Sequence, residues 1–341
     1  KYGQYNSYVD DFGFEINQEF EFPTVYTNQR NVVKQKVRGS ELELDMTENA
    51  LKYHIRRSWY ELAYLFEKEK MLLFQDSIYA RFLKAASIRY EVEATSYLEK
   101  ATAETRVMEI QNAIKLLRSD IEIEKQELQI LLNDSAELDF QTETLSERKL
   151  SSLENSSELK DNPSLQLAEQ RILIAEATKS TYKSKFMPDL SIGYFNQSMT
   201  GNPFESGQLA TSGDRFDGVQ AKISIPLFFW SFNEDVKSAK LNMEIAQTEA
   251  YYTKNVLQGQ YKQGFQRVMK FESSLSYYRE KAVPQSDLII NNAQLSFENG
   301  AIGYVEYFQN LNQALEIKFD YLKTLNGYNQ AVVHLEYLVG E

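Results

Sequence analysis

The chain has 341 residues, a net charge of -12 and no cysteine. The negative charge argues against nucleic acid as a partner, because the phosphate backbone is also anionic, and the absence of cysteine excludes disulfides and thiolate metal sites. A hydrophobic content of 43% with only 14 glycines and 6 prolines excludes a disordered chain and a turn-rich all-β protein.

The first predicted element is a strand, FGFEINQEFEFP at Phe12–Pro23, in which apolar and polar residues alternate. Successive side chains of a strand point to opposite faces, so the phenylalanines share one face and Glu15, Glu19 and Glu21 share the other. Two environments fit this pattern: a half-buried strand of a soluble sheet, and a membrane strand with lipid outside and water inside. The strand alone favours the soluble sheet, because membrane-strand patterns are weak per segment.

A long helical hairpin is predicted next. Between Thr27 and about Arg89 there is no proline and no glycine except Gly39. Apolar residues recur there at multiples of seven, as in coiled-coil helices: Val37, Leu44, Leu51, Leu65 and Leu72. This helix would be roughly 90 Å long, and the return helix from Tyr97 to about Asn133 would be about 55 Å long. A linker with little apolar content follows at 134–162.

The rest of the chain predicts a second copy of this unit. A helix over about Ser164–Lys185 leads into a strand from Asp189, a polar loop and a second alternating strand, VQAKISIPL at Val219–Leu227. The long helices of this copy are predicted at Trp230–Phe297, with a bend at Pro284, and at Tyr304–Tyr337.

Internal similarity supports the two copies. RYEVEATSYLEKA at Arg89–Ala101 lies over SFENGAIGYVEYF at Ser296–Phe308 with an offset of 207, while Phe20–Val37 lies over Ile223–Lys240 with an offset of 203. The first copy has no counterpart of the leading helix and strand of the second. We therefore expect the natural protein to continue before residue 1.

The combination of strand and helices favours the membrane interpretation of the strands. A length of about 11 residues suits a tilted strand that crosses a bilayer, and so few strands per chain require several chains to close one barrel. The phenylalanines would then face lipid, and the cluster LFFW at Leu227–Trp230 would lie at the interface. The predicted lumen residues are Glu15, Glu19, Glu21, Gln220 and Lys222. The alternative is an extended structural or adhesive coiled-coil envelope protein, in which the alternating strands would be incidental.

Three stretches carry a resemblance to a known family: ISIPLF before a long helix, MPDLSIGYF as a strand after a helix, and FENGAIGYVEYFQNLNQALEIKFDYLKTLNGYNQAVVHLEYLVG at the end. In this order, and over nearly the whole chain, the sequence resembles the TolC-type outer-membrane factors, the exit ducts of tripartite efflux pumps. The resemblance implies a mainly α fold with a β-barrel part. It also implies a homotrimer with a 12-stranded barrel in the outer membrane of a Gram-negative bacterium and a helical tunnel in the periplasm.

The resemblance also implies a division of the chain and a set of partners. Residues 1–26 and 187–229 would supply barrel strands and extracellular loops, 27–133 the first helical hairpin, 134–186 a linker with an equatorial helix, and 230–341 the second hairpin. Residues 185–341 most resemble the heavy-metal branch (CusC/CzcC-like). Its partners are a periplasmic adaptor and an inner-membrane pump of the resistance-nodulation-division (RND) class, and its cargo is heavy-metal cations. In some bacteria a similar segment is fused to the pump itself. The sequence is compatible with a separate outer-membrane factor and with such a fused segment.

The family's working end is implied at the turns of the hairpins, Glu91–Ser96 and Glu298–Gly303. The implied adaptor-docking residues are Arg89, Glu93, Ser96, Gly300, Gly303 and Tyr304. Glu306 stands at the position of the family's entrance acid, and Gln309 replaces the second acid of that gate. The alternative is that Glu306 simply faces solvent. Glu93 replaces the turn glycine of the family in the first copy, so we expect a different turn there.

Nothing in the sequence predicts catalysis. The two histidines, His54 and His334, lie far apart in the sequence, each within a predicted helix, and the methionines are scattered. We expect packing or surface roles for them rather than metal ligation. No phosphate-binding glycine loop and no Ser/His/Asp arrangement occurs. The sequence therefore predicts a non-enzymatic protein without cofactor or metal.

Overall fold

The computed structural model describes residues 13–133, 144–149, 159–198, 207, 209, 211, 213–225 and 230–341. Phe12, the cluster residues 227–229 and most of the predicted linker lie outside the described residues. Two compact units make up the chain, Lys1–Leu42 with Leu167–Tyr252 and Glu43–Gln166 with Thr253–Glu341.

The element order confirms the predicted succession of strands and long helices. The strands are β1 Gly13–Phe20, β2 Asp189–Ser198 and β3 Arg215–Ser224. The helices are α1 Pro23–Glu91, α2 Tyr97–Leu132, α3 Pro163–Ser184, α4 Trp230–Tyr277, α5 Val283–Glu298 and α6 Tyr304–Val339. The strand bounds differ from the prediction, since β1 ends at Phe20 and β3 runs from Arg215 to Ser224 rather than from Val219 to Leu227.

The two helical hairpins repeat each other around their tips and along their return helices. The helix ends Glu91, Tyr97 and Leu132 of the first hairpin correspond to Glu298, Tyr304 and Val339, each 207 positions later. The offset that the sequence predicted near the hairpin tips therefore also relates the return helices α2 and α6.

One feature breaks this repeat. Between α4 and α5 the helix continues through a π-helix, Tyr278–Ala282, in which the Val283 N–H donates to the Tyr278 carbonyl five residues back. Helix α1 runs through the equivalent positions without interruption. Pro284, where a bend was predicted, lies in the first turn of α5, and its missing N–H is tolerated there.

The predicted heptad stripe of α1 is buried only in part. Leu65 and Leu72 lie in the core that α1 shares with α2 and α6. Val37, Leu44 and Leu51 are 55%, 59% and 41% exposed in the single chain. A heptad pattern shows that these positions suit helix packing, but not whether the partner helix belongs to the same chain.

A short segment of the linker, 144–149, is held against α6. Leu145 is buried with Leu325 and Tyr328, although the linker was predicted to have little apolar content. The amide of Asn329 accepts a hydrogen bond from the Arg148 backbone N–H at 2.8 Å and donates one to the Ser146 carbonyl at 2.9 Å. Asn329 is fully buried, so both hydrogen bonds lie inside the core and hold this segment of the linker against α6.

The same segment contributes to a buried charge cluster. The Glu336 carboxylate, whose side chain is 3% exposed, pairs with Arg148 at 2.6 Å and with Arg56 at 3.3 Å. Arg148 also donates to the Tyr60 hydroxyl at 3.3 Å, and these acceptors raise the pKa of Arg148 against the opposing effect of its burial. The cluster ties α1, the linker and the end of α6 together.

Candidate functional sites at the sheet and the hairpin tips

The three strands form one antiparallel sheet in the order β1-β2-β3. Residues directly opposite each other on neighbouring strands share a face. Glu15 lies opposite Phe195, Asn17 opposite Gly193, and Gly193 opposite Gln220. The register therefore defines a polar face, which comprises Glu15, Asn17, Glu19, Asp189, Ser191, Gln220, Lys222 and Ser224.

A network centred on Glu15 organises this polar face. The Glu15 carboxylate accepts hydrogen bonds from the amides of Asn17, at 2.5 Å, and Gln220, and lies 3.5 Å from the Lys222 ammonium. Gln220 also donates to Asn17 at 3.0 Å. A Cβ atom at Gly193 would lie 1.9 Å from the Asn17 amide oxygen, so the bare middle strand leaves room for the network.

The opposite face of the sheet is apolar. Its apolar residues are Phe14, Ile16, Phe20, Leu190, Ile192, Tyr194, Val219, Ala221 and Ile223. Gln18 also lies on this face, and further polar residues lie on it towards the loop between β2 and β3. Most of these apolar side chains are well exposed, Ile16 by 66% and Val219 by 77%. No described part of the chain covers this face, so it suits an apolar surrounding such as lipid.

Glu21, the third predicted lumen acid of the first strand, lies just beyond the paired part of the sheet. It follows β1, whose last residue is Phe20. Its backbone N–H donates to the Tyr26 hydroxyl at 3.0 Å, and its carboxylate accepts from Gln29 at 2.9 Å. The alternation continues through Glu21 in the sequence, but the contacts with the start of α1 assign this residue to the strand-to-helix junction.

The two hairpin tips adopt the same turn. At the first, Glu93 has φ +57° and the Ala94 N–H donates to the Arg89 carbonyl at 2.7 Å. At the second, Gly300 has φ +69° and the Ala301 N–H donates to the Ser296 carbonyl at 2.8 Å. The expectation of a different turn at Glu93 is therefore wrong: Glu93 adopts the left-handed conformation that glycine provides without strain.

The residues after the turns differ between the copies. Ser96 caps α2 by accepting the Glu99 backbone N–H at 3.3 Å, and Glu99 accepts a hydrogen bond from Thr95 and lies 3.6 Å from Arg89. Ser96 thus supplies the serine half of a capping box, and the Glu99 carboxylate is held by Thr95 and Arg89. The equivalent of Ser96 is Gly303, which caps α6 without a side-chain hydrogen bond.

Glu306 is the counterpart of Glu99, 207 positions later, a correspondence the sequence offset already contained. Glu306 is exposed, and no described side chain bonds to it. The arginine of the first copy is replaced by Ser296 and the threonine by Ile302. The first acid is thus held in the tip, and the second is free to meet a ligand or a neighbouring chain.

Aromatic rings join the two hairpins behind the tips. Phe82 of α1 stacks on Tyr304 of α6 at 5.1 Å between ring centroids and lies edge-on to Phe308 at 4.6 Å. Tyr79 contacts Phe308 at 4.7 Å and donates a hydrogen bond to Asn312, and burial raises its pKa. Sequence reasoning identified Tyr304 but missed Phe82 and Tyr79, which no motif distinguishes from other core residues of α1.

A cavity of about 210 Å³ opens beside these rings. Gln309, predicted as a gate residue, lines it together with Arg106, Tyr304 and Phe308. Glu306 is not among the residues that line this cavity, although it lies one helical turn from Gln309 on α6.

In the described part of the chain, no group of three or more acidic or histidine side chains is arranged to hold a metal ion. His54 and His334 both pack on Tyr53, at 5.2 Å and 5.9 Å between ring centroids. Burial, with a contribution from Arg267, lowers the pKa of His334. Among the described helices, none combines the length and the apolar character that a membrane span requires.

No protein-family model matches the sequence, and no curated protein sequence matches it. Solved structures match the fold. One is CusC, studied for its folding and transmembrane channel formation, with a TM-score of 0.80 and 14% identity over 96% of this chain and 77% of that chain. Another is the Campylobacter jejuni CmeC outer membrane channel, with a TM-score of 0.76 and 16% identity over 97% and 71%. A third is the open state of the Neisseria gonorrhoeae MtrE outer membrane channel, with a TM-score of 0.74 and 15% identity over 97% and 79%.

Proposed function

We propose that this protein, which has a TolC-like fold, is the outer-membrane exit duct of a tripartite efflux pump and conducts its cargo passively without catalysis. The observation that carries the proposal is the sheet with one polar and one exposed apolar face, attached to two long helical hairpins. In a membrane barrel the apolar face of the sheet contacts lipid and the polar face contacts water. A structural or adhesive coiled coil would leave the sheet without a role.

The proposed assembly is a homotrimer in which the sheets share one barrel and the hairpins line a periplasmic tunnel, with the division of the chain predicted from the sequence. Support comes from apolar heptad positions left exposed in the single chain. They occur on α1 at Val37, Leu44 and Leu51 and on α2 at Leu116, Ile123 and Ile130. Helices of neighbouring copies would cover such stripes.

The proposed partners are a periplasmic adaptor at the hairpin tips and an inner-membrane pump of the RND class behind it. The tips offer two turns of one geometry, and Arg89, Glu93, Ser96, Gly300, Gly303 and Tyr304 lie at or beside them. Glu306 and Gln309 are proposed for the entrance gate. The free carboxylate of Glu306, repeated in three copies, would form a ring that binds cations.

The proposed cargo is cationic, and heavy-metal cations are the class that the resemblance of residues 185–341 suggests. The polar face carries Glu15, Glu19 and Asp189 against Lys222, so it is acidic on balance. The presence of CusC among the matched structures supports the heavy-metal branch.

The chain purified from outer membranes tests the proposal. Light scattering in detergent should give three chains, and planar bilayers should show channels that favour cations at low salt. A stable monomer in detergent would contradict the shared barrel. Anion-selective channels would contradict the acidic lumen.

A further inference from the structure

One pair of side chains contradicts the division of the sheet into two faces. Phe195 and Phe216 lie on the polar face, since Phe195 is opposite Glu15 and Phe216 is opposite Gln197. Their ring centroids are 5.5 Å apart. A ring pair on the water-filled side of the proposed barrel does not contact lipid. The ring pair of the opposite, apolar face is Phe14 and Tyr194, at 6.1 Å between centroids.

The pair is built into the sheet. Phe195 lies opposite Gly218 on β3, and a Cβ atom at Gly218 would lie 2.9 Å from the end of the Phe195 ring. The missing side chain of Gly218 therefore leaves room for the Phe195 ring beside Phe216. Phe216 itself is 53% exposed.

The position of the pair along the strands places it at the mouth. Phe195 and Phe216 lie near Ser198 and Arg215, the ends from which the loop between β2 and β3 departs. The helices join the opposite ends of the strands, at Phe20, Asp189 and Ser224. Glu15 is in the same row as Phe195, and Glu19 lies two rows towards the helices.

We propose that Phe195 and Phe216 form an aromatic binding site for organic cations at the exit of the duct. This inference rests on the proposed trimeric duct, in which three copies set three such pairs around the exit. An aromatic face attracts a cation that sheds its water easily, and the acidic residues behind the rings add attraction for positive charge. A hydrated metal ion gains little from the rings, because it would have to lose its water first.

Single-channel recording with the full chain in planar bilayers tests the site. Tetraphenylphosphonium added on the loop side should block the potassium current. Phe195→Leu/Phe216→Leu keeps the apolar bulk but removes the rings, and it should raise the blocking concentration about tenfold. Magnesium, a strongly hydrated cation, should act alike on this variant and on the wild type.

The matched control is Phe14→Leu/Tyr194→Leu, which removes the ring pair of the opposite face. Its blocking concentration should stay at the wild-type value. Normal channels with unchanged block in Phe195→Leu/Phe216→Leu, or an equal change in both double variants, would overturn the site and leave the duct intact. A wild-type chain that forms no channel at all would overturn the proposed function, and the site with it.

Discussion

The two hairpin tips share one backbone turn but differ in the side-chain contacts around it. Both turn through a left-handed residue with matching hydrogen bonds, at Glu93 and at Gly300. At the first tip the following acid, Glu99, is occupied by Thr95 and Arg89. At the second, Glu306 has none of these partners among the described residues. The turn is what the fold requires, and the side chains around it differ where an assembled duct would use them.

At the ends of α2 and α6 away from the tips, the second copy is the one with the tighter contacts. Helix α2 ends at Leu132, which is 46% exposed, with Asn133 in the left-handed conformation. Helix α6 ends at Val339 and is followed by Gly340, the equivalent of Asn133, where a Cβ atom would lie 2.4 Å from the Asp161 carbonyl oxygen. The second copy is therefore anchored at this end and open at its tip.

The largest effect is expected from removing the buried carboxylate near the end of α6. Glu336→Ala leaves Arg148 and Arg56 without their shared buried carboxylate. The two arginines are partly exposed, so the loss is that of charge-assisted hydrogen bonds, and the free energy of unfolding should fall by about 1.5–3 kcal/mol. Denaturant unfolding followed by circular dichroism measures it.

Glu306→Ala on the same helix is the matched control, because Glu306 is exposed. Its free energy of unfolding should stay within about 0.5 kcal/mol of the wild type. Equal losses in the two variants would mean that the end of α6 is no better anchored than its tip.

The second prediction exchanges the turn residues. Gly300→Ala places a Cβ atom in the left-handed conformation at φ +69°, and Glu93→Gly removes one at φ +57°. The first should weaken its turn and the second should strengthen its own, each by about 1 kcal/mol. Hydrogen exchange at the backbone N–H of Ala301 should become several-fold faster, and exchange at Ala94 several-fold slower. Changes of the same sign at both tips would mean that the turns are not equivalent.

The smallest effect is expected from neutralising Glu306 and Glu99 one at a time. Glu306→Gln should raise the concentration of a multivalent cation that blocks single-channel current from the tip side by roughly threefold, the size expected for an exposed charge. Glu99→Gln should change it little, since Arg89 and Thr95 already occupy that carboxylate. If Glu306→Gln leaves block unchanged in an intact trimer, Glu306 is a surface residue and the gate lies elsewhere.

The sequence predicted the helices well because their causes are local. Heptad spacing and the scarcity of proline and glycine limited α1 to about Thr27–Arg89, and the structure extends it only to Pro23 and Glu91. Alternation likewise assigned Glu15, Glu19, Gln220 and Lys222 to one face, which the register confirms. Their role in lining a lumen remains a prediction.

What the sequence missed depends on contacts between distant segments. Nothing near Arg148 indicates that it pairs with Glu336, 188 positions away. The order β1-β2-β3 likewise decides that Phe195 rests over Gly218, since strand pairing is not encoded in either strand alone. The turn at Glu93 was also predicted wrongly. The hydrogen bonds of the turn hold Glu93 in the left-handed conformation, although a non-glycine residue disfavours it.

The π-helix of the second hairpin has a consequence for helical phase. In α1 the buried positions Ser58, Leu65, Leu72, Tyr79 and Ala86 follow one another at intervals of seven. In the second hairpin, buried Val268 and Leu275 correspond to Leu65 and Leu72 with an offset of 203, whereas buried Ser286 and Ala293 correspond to Tyr79 and Ala86 with an offset of 207.

The offset therefore changes by four between Leu275 and Ser286, where the π-helix Tyr278–Ala282 lies. An insertion of four residues is a stutter in a heptad pattern, and the wider π turn absorbs it without breaking the helix. The π-helix thus keeps the buried positions of α5 aligned with those of α1 towards the tip. Removing one residue from the α-helical turns beside it would rotate the rest of α5 by about 100°.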